Sequence, residues 1–402
     1  MQKNKTDGIT QAVMLAGGLG TRLKPFTDTN PKPMYPFEGV PFIDNLIRQM
    51  KEFGMEEVVL LLGYMPEKIS DYLGDGSRYG LKITYNVTPV EYDTGMRLKH
   101  AAPLISDEFL FLYCDNYCPI NFEKLVSDFR SSNAGIQITA YSNRDGYTKS
   151  NLRIAENGLV EAYDKKRTEP NLQGVDIGYA LVKKSVLSLM PDGDGDNCNF
   201  EATVYPKLVA DRKLFATVTE HRYYSVGSFE RIALTEEFLK PKKVVFLDRD
   251  GTLNERAPQA CYVEKPDDFV WLKGAVEAVK KLKDNGFLVI LITNQPGIAR
   301  GNLTEEMLSE IHGKMHADLA EAGTGIDDIF YCIHNWHDGC FCRKPRPGML
   351  YEAQRKYSLN LTECYLIGDD ERDITAGEAA GCTCKFVDEN YTVLDAVNDI
   401  IG

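Results

Sequence analysis

An α/β chain folded as two domains is what the sequence predicts, on three observations. Short apolar runs of strand length, such as Ala12 to Ala16, Val58 to Leu62 and Val244 to Leu247, alternate with stretches of helical periodicity. Several of these runs stop at Gly, Asp or Thr, as strands do where a parallel sheet hands over to ligand-binding loops. The alternation breaks at Lys240-Pro241-Lys242-Lys243 and then restarts. The 402 residues therefore divide into a Rossmann-like three-layer α/β/α domain over 1–240 and a second over 241–402.

Composition narrows the function classes. Hydrophobic residues at 43% and charged residues at 26% are those of an ordinary globular protein. A net charge of −13 and a pI near 5.1 argue against nucleic-acid or membrane-surface partners. Small anionic molecules fit better, because local Lys, Arg and helix N-termini can hold phosphate on an acidic protein. No run approaches the ~18 apolar residues of a membrane span, and the opening MQKNKTDGITQ lacks a signal-peptide core. Ten Cys without a disulfide-framework spacing fit a reducing, cytoplasmic setting. Oligomeric state stays open, with a homo-oligomer among the alternatives.

In the first half, the Ala12–Ala16 strand stops at Gly17-Gly18-Leu19-Gly20-Thr21-Arg22. Glycines after a strand let backbone N–H groups approach phosphate oxygens closely. Arg22, and Lys32 of Asn30-Pro31-Lys32-Pro33-Met34, add positive charge against a triphosphate. Phe42, Ile43, Leu46, Ile47 and Met50 share one helical face and predict core. Val58–Leu62, Leu81–Val87 and Phe109–Tyr113 predict strands, Thr94–Ala102 a helix, and Asp115 ends the last strand. Val175–Val182 predicts a further strand carrying Asp176 and Gly178, and Phe229–Leu239 a helix running to the break.

LAGGLGTRLKPFTDTNPKPM resembles the signature of the sugar-1-phosphate nucleotidyltransferases, in particular the heptose 1-phosphate guanylyltransferases. The resemblance implies that Gly17, Gly18, Gly20 and Thr21 hold the nucleotide, that Arg22 meets its phosphates and Lys32 the reacting groups. It places Thr94 and Gly95 at the substrate, Asp115 on Mg²⁺, and Asp176 and Glu201 near the sugar. In Glu161-Ala162-Tyr163-Asp164-Lys165-Lys166, Lys166 is the expected sugar-phosphate ligand, the adjacent Lys165 being the other register. The implied reaction is attack of a sugar 1-phosphate on the α-phosphorus of an NTP, GTP by resemblance, releasing pyrophosphate. Three positions depart from the pattern: Met96 and Cys114 stand where glycines are usual, and Ser225 where a second metal aspartate is expected. They leave open a second reading, a sugar-nucleotide-binding sensor without catalysis.

In the second half, the Val244–Leu247 strand delivers Asp248 and Asp250. A carboxylate can attack phosphorus and form an aspartyl-phosphate, provided a cation lies between the two negative partners. A helix over Ala275–Lys283, a strand over Phe287–Ile292, a helix over Glu305–Ala322 and strands over Ile329–Cys332 and Cys364–Ile367 follow. Thr293-Asn294, Lys344 and Gly368-Asp369 lie at strand ends or in the loops after them. Cys332-x-His334 and Cys340-x-Cys342 supply four soft ligands suited to a structural Zn²⁺, pinning the loop that carries Arg343 and Lys344; His337 competes for a ligand place.

The order DxD…T…K…D resembles the haloacid-dehalogenase phosphatases. That implies Asp248 as nucleophile, Asp250 as general acid/base, Thr293 and Lys344 as phosphoryl ligands, and Asp248, Asp250 and Asp369 as the Mg²⁺ site. Asp370 is expected to charge a helix start and Asp373 to lie in an outer shell. DRDGT, TNQPGIARG, CxH…CxCRKPRPGM and IGDD together are similar to a capless zinc-loop group, the D-glycero-D-manno-heptose 1,7-bisphosphate phosphatases and histidinol phosphatases. Asn294 and Arg343 would then face substrate, and the 43 positions from Asp250 to Thr293 leave little room for a cap. A heptose bisphosphate phosphatase produces what a sugar-1-phosphate nucleotidyltransferase consumes, so the fusion favours two consecutive steps toward a nucleotide-activated heptose.

Overall fold

Gln11–Ala16 (β1) is buried at every position, which requires cover on both faces. In this computed structural model residues 6–191, 197–258 and 261–402 are described; residues 1–5, the start of the opening stretch read above, lie outside them. The chain separates into two compact units, Met1–Leu239 and Lys240–Gly402.

In unit 1, β1 is followed by Phe42–Glu52 (α1), Glu57–Leu62 (β2), Pro66–Leu73 (α2), Lys82–Val87 (β3) and Thr94–Ala101 (α3). Then come Glu108–Tyr113 (β4), Phe122–Ser131 (α4), Ile136–Tyr141 (β5), Val175–Lys183 (β6), Phe200–Ala210 (α5), Leu214–Thr219 (β7) and Phe229–Leu239 (α6). The apolar face of α1 is buried as its periodicity requires. Asp93, Asn121 and Asn199 cap α3, α4 and α5 through side-chain oxygens, each such cap contributing about 1 kcal/mol. The sheet order is β7-β5-β6-β4-β1-β2-β3. β1 through β4 are mutually parallel, but β6 runs antiparallel to both β4 and β5. The reason is local: β5 and β6 are joined not by a helix but by the antiparallel pair Leu152–Ile154 and Val160–Tyr163. Without a helical crossover the chain returns in the opposite direction.

Unit 2 holds Val244–Leu247 (β8), Ala275–Asp284 (α7), Leu288–Asn294 (β9), Glu305–Glu321 (α8), Asp328–Cys332 (β10) and Gly348–Tyr357 (α9). Tyr365–Gly368 (β11), Glu371–Ala380 (α10), Thr383–Phe386 (β12) and Val393–Ile401 (α11) complete it. All five strands are parallel, in the order β10-β9-β8-β11-β12. Chain direction across the sheet reverses between β8 and β11, so the crevice at their C-terminal ends is where a ligand belongs. Between β8 and α7 the described residues form no helix beyond the short turn Pro266–Asp268. No helix among the described residues is long and apolar enough to cross a membrane.

Candidate active sites

At the β8/β11 crevice, Asp248 follows β8 and its backbone N–H donates to Ile367 O at 3.0 Å. Asp248, Asp369 and Asp373 offer carboxylate oxygens within 4.8 Å of one another. Lys344 Nζ lies 2.6 Å from Asp248 Oδ1 and 2.6 Å from Asp373 Oδ1, and donates to Ile292 O at 2.9 Å. Burial pushes the Asp248 carboxyl up, Lys344 pulls it back and Asp373 pushes it further, to about 6. Burial and the Asp248 charge likewise raise Asp369 to about 6, against Arg256, whose Nη2 is 2.7 Å away. Carboxyls raised by crowding are ionised readily once a divalent cation joins them. The donor set therefore fits a hard cation. Gly251, at φ +98°, lies so close to Asp369 that a Cβ there would collide with its carboxylate.

Two expectations change here. Asp373 is not in an outer shell: it is 2% exposed, belongs to the carboxylate group and pairs with Lys344. The same residue closes a capping box with Asp370, which does cap α10, and this fixes its direction. Asp250, by contrast, does not bring its side chain into the group. Arg249 folds back so that Nη2 reaches Asp250 Oδ1 at 3.0 Å and Oδ2 at 2.9 Å, while Asn254 Nδ2 and Gln295 Nε2 donate at 3.0 and 2.9 Å. Burial pushes Asp250 up, but Arg249, Asn254 and Gln295 outweigh it and hold the carboxyl below its ordinary range.

Thr293 and Asn294 end β9. Thr293 Oγ1 accepts from Gln295 Nε2 at 3.0 Å. Asn294 and Lys344 exchange two hydrogen bonds of 3.1 Å, side-chain amide to backbone, which docks the 343–344 loop on the strand end. Sequence reasoning missed Arg249, Gln295, Asn254 and Arg256. A basic residue between two aspartates was the available signal for the first, and nothing in spacing marks the others.

Cys332, His334, Cys340 and Cys342 converge within 4.8 Å, and His337 lies outside the group. Cys332 Sγ is 3.7 Å from Cys340 Sγ and 3.4 Å from Cys342 Sγ, with His334 Nδ1 3.6 Å from Cys332 Sγ and 3.2 Å from Cys342 Sγ. A zinc tetrahedron with Zn–S of about 2.3 Å and Zn–N of about 2.0 Å has edges of about 3.5–3.8 Å. The observed separations fit it to within a few tenths of an ångström. Arg343 leaves this loop with Nη1 3.4 Å from His334 O and its guanidinium 6.0 Å from the Trp336 ring centre.

In unit 1 the Gly17–Arg22 stretch follows β1. Gly18, Thr21 and Arg22 are exposed, and Gly20, at φ +61°, turns the chain with its carbonyl accepting from Thr27 Oγ1 at 3.1 Å. Lys32 Nζ pairs with Asp115 Oδ2 at 2.5 Å, uniting two expected site residues. Ser225 lies beside them: the Tyr224–Ser225 strand pairs with Asn116–Tyr117, and Val226 N donates to Asp115 O at 3.0 Å. Ser225, where a second carboxylate was expected, is thus registered against Asn116, one residue from Asp115. Thr94 and Gly95 contact the 198–200 segment, Thr94 Oγ1 accepting from Phe200 N at 2.8 Å and Gly95 N donating to Cys198 O at 2.9 Å.

Asp176 and Glu201 face each other. Burial and Glu201 raise Asp176 to about 7, against the Gly178 N–H and Lys165. Lys165, not Lys166, reaches this place: its Nζ is 3.0 Å from Glu201 Oε2 and 3.2 Å from Asn199 Oδ1. Asp164 explains the register. Its carboxylate accepts from the backbone N–H groups of Lys166, Thr168 and Glu169, a turn that leaves Lys166 exposed.

Residues 11–232, more than half of the 402, match the family described as Nucleotidyl transferase, and residues 243–396 that described as Polynucleotide kinase 3 phosphatase. The D-glycero-beta-D-manno-heptose-1,7-bisphosphate 7-phosphatase of Bordetella bronchiseptica is 41% identical over 140 residues, 35% of this chain and 77% of that one. The D-glycero-alpha-D-manno-heptose-1,7-bisphosphate 7-phosphatase of Photorhabdus laumondii is 42% identical over 153 residues, 36% of this chain and 81% of that one. The crystal structure of HddC from Yersinia pseudotuberculosis is 24% identical with a TM-score of 0.49, covering 58% of this chain and 100% of that one. The chain belongs to the nucleotidyl transferase family over its first half and to the heptose-1,7-bisphosphate phosphatase family over its second, and is an enzyme of two activities.

Proposed function

We propose that unit 2 hydrolyses the C7 phosphate of D-glycero-D-manno-heptose 1,7-bisphosphate and that unit 1 then transfers a nucleotidyl group, GMP from GTP, to the heptose 1-phosphate so formed. The observation that carries the first step is the buried set of Asp248, Asp369, Asp373 and Lys344 at the sheet crevice. Asp248 attacks phosphorus, the P–O bond to the sugar breaks, and Asp250, which must first take up a proton against the pull of Arg249, hands it to the leaving oxygen. Asp250 then takes a proton from the water that hydrolyses the aspartyl-phosphate. Lys344 and Thr293 hold phosphoryl oxygens; Asn294 and Arg343 face the sugar side. Asp248, Asp369 and Asp373 would hold a Mg²⁺, which would supply charge neutralisation, and Cys332, His334, Cys340 and Cys342 would hold a Zn²⁺ fixing the loop that presents Arg343 and Lys344.

In unit 1 the phosphate oxygen of the sugar 1-phosphate attacks the α-phosphorus and pyrophosphate leaves. Arg22, Lys32 and the Gly17–Thr21 backbone meet the triphosphate, a Mg²⁺ on Asp115 would share its charge, Lys165 meets the sugar phosphate, and Asp176 and Glu201 face the sugar hydroxyls. Base identity rests on the resemblance of LAGGLGTRLKPFTDTNPKPM to the guanylyltransferases. A second reading, a nucleotide-sugar sensor in unit 1, is favoured by Ser225, opposite Asn116, standing where a second metal carboxylate was expected.

The test is purified protein with Mg²⁺, each anomer of heptose 1,7-bisphosphate and each NTP in turn, with phosphate and pyrophosphate followed separately. Both products with one preferred NTP are expected. Phosphate without pyrophosphate for every NTP and both anomers would leave the sensor. No phosphate would remove the heptose assignment and make histidinol phosphate the next substrate to assay.

A further inference from the structure

The pattern departure at Met96 is followed directly by a residue the sequence reading did not use. Arg97, on α3, is 3% exposed. Its Nη1 donates to Leu62 O at 2.8 Å and to Thr88 Oγ1 at 2.6 Å. Its Nη2 donates to Gly17 O at 3.3 Å and to Pro89 O and Val90 O, both at 3.1 Å. These five acceptors lie at or just past the C-terminal ends of three adjacent parallel strands, β1, β2 and β3. Leu62 O also accepts from Thr88 N at 3.1 Å, whereas Gly17 O and Val90 O lie past the last rungs of their ladders, and such carbonyls present partial negative charge to the edge where the nucleotide reading puts the polyphosphate. Two glycines make room for the guanidinium: a Cβ on Gly17 or on Gly63 would run into it.

The five acceptors are all neutral. The Asp93 and Glu91 charges are near enough to act on Arg97. An apolar side chain of similar length would leave these acceptors without their shared donor, so the guanidinium is what ties the three strand ends to one another. We propose that Arg97 is a positioning residue for the nucleotide. It holds the glycine loop after β1 and the Thr88–Val90 segment after β3 at a fixed separation, and sets one positive charge beneath the polyphosphate. The four terminal N–H groups of the rigid, planar guanidinium serve these five acceptors, Nη2 sharing its two hydrogens among three, and the group keeps its charge. The proposal rests on the nucleotide-binding reading of unit 1, whether unit 1 transfers the nucleotide or only senses it.

Arg97→Met and Arg97→Lys in the full chain test it. Three quantities are read for each variant: the dissociation constant of each Mg²⁺–NTP by calorimetry, the KM values for NTP and for sugar 1-phosphate, and phosphate release by unit 2 in the same preparation. Loss of hydrogen bonds to a charged group predicts that Arg97→Met weakens NTP binding about tenfold or more. The KM for sugar 1-phosphate and the kcat at saturating NTP should stay close to wild type, and Arg97→Lys should restore part of the nucleotide affinity. Wild-type NTP affinity in a folded Arg97→Met protein overturns the proposal. So does a parallel loss of affinity for both substrates. If Arg97→Met fails to fold, Arg97→Lys decides: weakened NTP binding with an unchanged sugar-phosphate KM supports the role, and unchanged NTP binding refutes it. Wild-type protein that binds no NTP would instead remove the nucleotide reading of unit 1 itself, and this role with it.

Discussion

Asp176 keeps its proton to about pH 7 in the folded chain, where an unhindered Asp would lose it near 3.8. Between those values the folded state binds more protons than the unfolded one, so stability falls as pH rises. Asp176→Asn should remove that slope. In urea unfolding at pH 5 and pH 7.5, the variant is expected to gain on wild type at the higher pH; parallel stabilities would show that Asp176 ionises normally. The lysine pair makes a second test at this scale. Lys165→Met should raise the sugar 1-phosphate KM about tenfold, the loss expected for one charged hydrogen bond, with Lys166→Met close to wild type; the reverse result would restore the register first read from the sequence. In unit 2, Asp248→Asn should abolish phosphate release and leave pyrophosphate release intact. The meeting of single residues was legible where a motif supplied it: Asp248 with Lys344, and Cys332, His334, Cys340 and Cys342 with one another. It was not legible where a turn decides direction: with Asp164 holding the following backbone it is Lys165 that reaches Glu201, and Arg249 turns Asp250 away from the other carboxylates.

Among elements, the apolar runs without interruption were the readable ones, β1, β2, β4, β8 and β9 above all. β5 and β7 escaped notice because their polar residues are buried in pairs. Gln137 Nε2 of β5 donates to Thr217 Oγ1 of β7 at 3.1 Å, so both sequences look half-exposed although β5 is buried throughout. β12 was hidden for the opposite reason, being an edge strand with exposed Thr383 and Phe386. The loop between β10 and α9 is where an element depends most on added chemistry. The Asn294–Lys344 pair docks the end of this loop beside Asp248, and the Cys332, His334, Cys340 and Cys342 side chains converge in the rest of it. Cys340→Ser, or a chelator strong enough to strip zinc, should lower the melting temperature of unit 2 and stop phosphate release. Pyrophosphate release by unit 1, supplied directly with heptose 1-phosphate, should persist in the variant. A loop indifferent to metal would leave both unchanged.

At the scale of the molecule, each unit is built around its own apolar layers, two in unit 1 and two in unit 2. Residues 1–239 and 240–402 expressed separately should therefore each fold cooperatively and each keep its own reaction. Failure of either fragment to fold would show that the units depend on one another. The place of the join was readable because a Pro amid lysines ends one helix before a new strand begins. The thiol cluster has a consequence that reaches beyond its own unit. Cys340 and Cys342 are partly exposed, and the sulfurs of Cys332 and Cys342 are 3.4 Å apart. Of the three thiols Cys340 is the one that, against burial, the Arg343 N–H and the neighbouring thiols hold below its ordinary range, and without metal it is the sulfur that peroxide would meet first. Oxidation there would act on the supplier: flux would halt at the bisphosphate, whatever the state of the downstream unit, until the thiols were reduced.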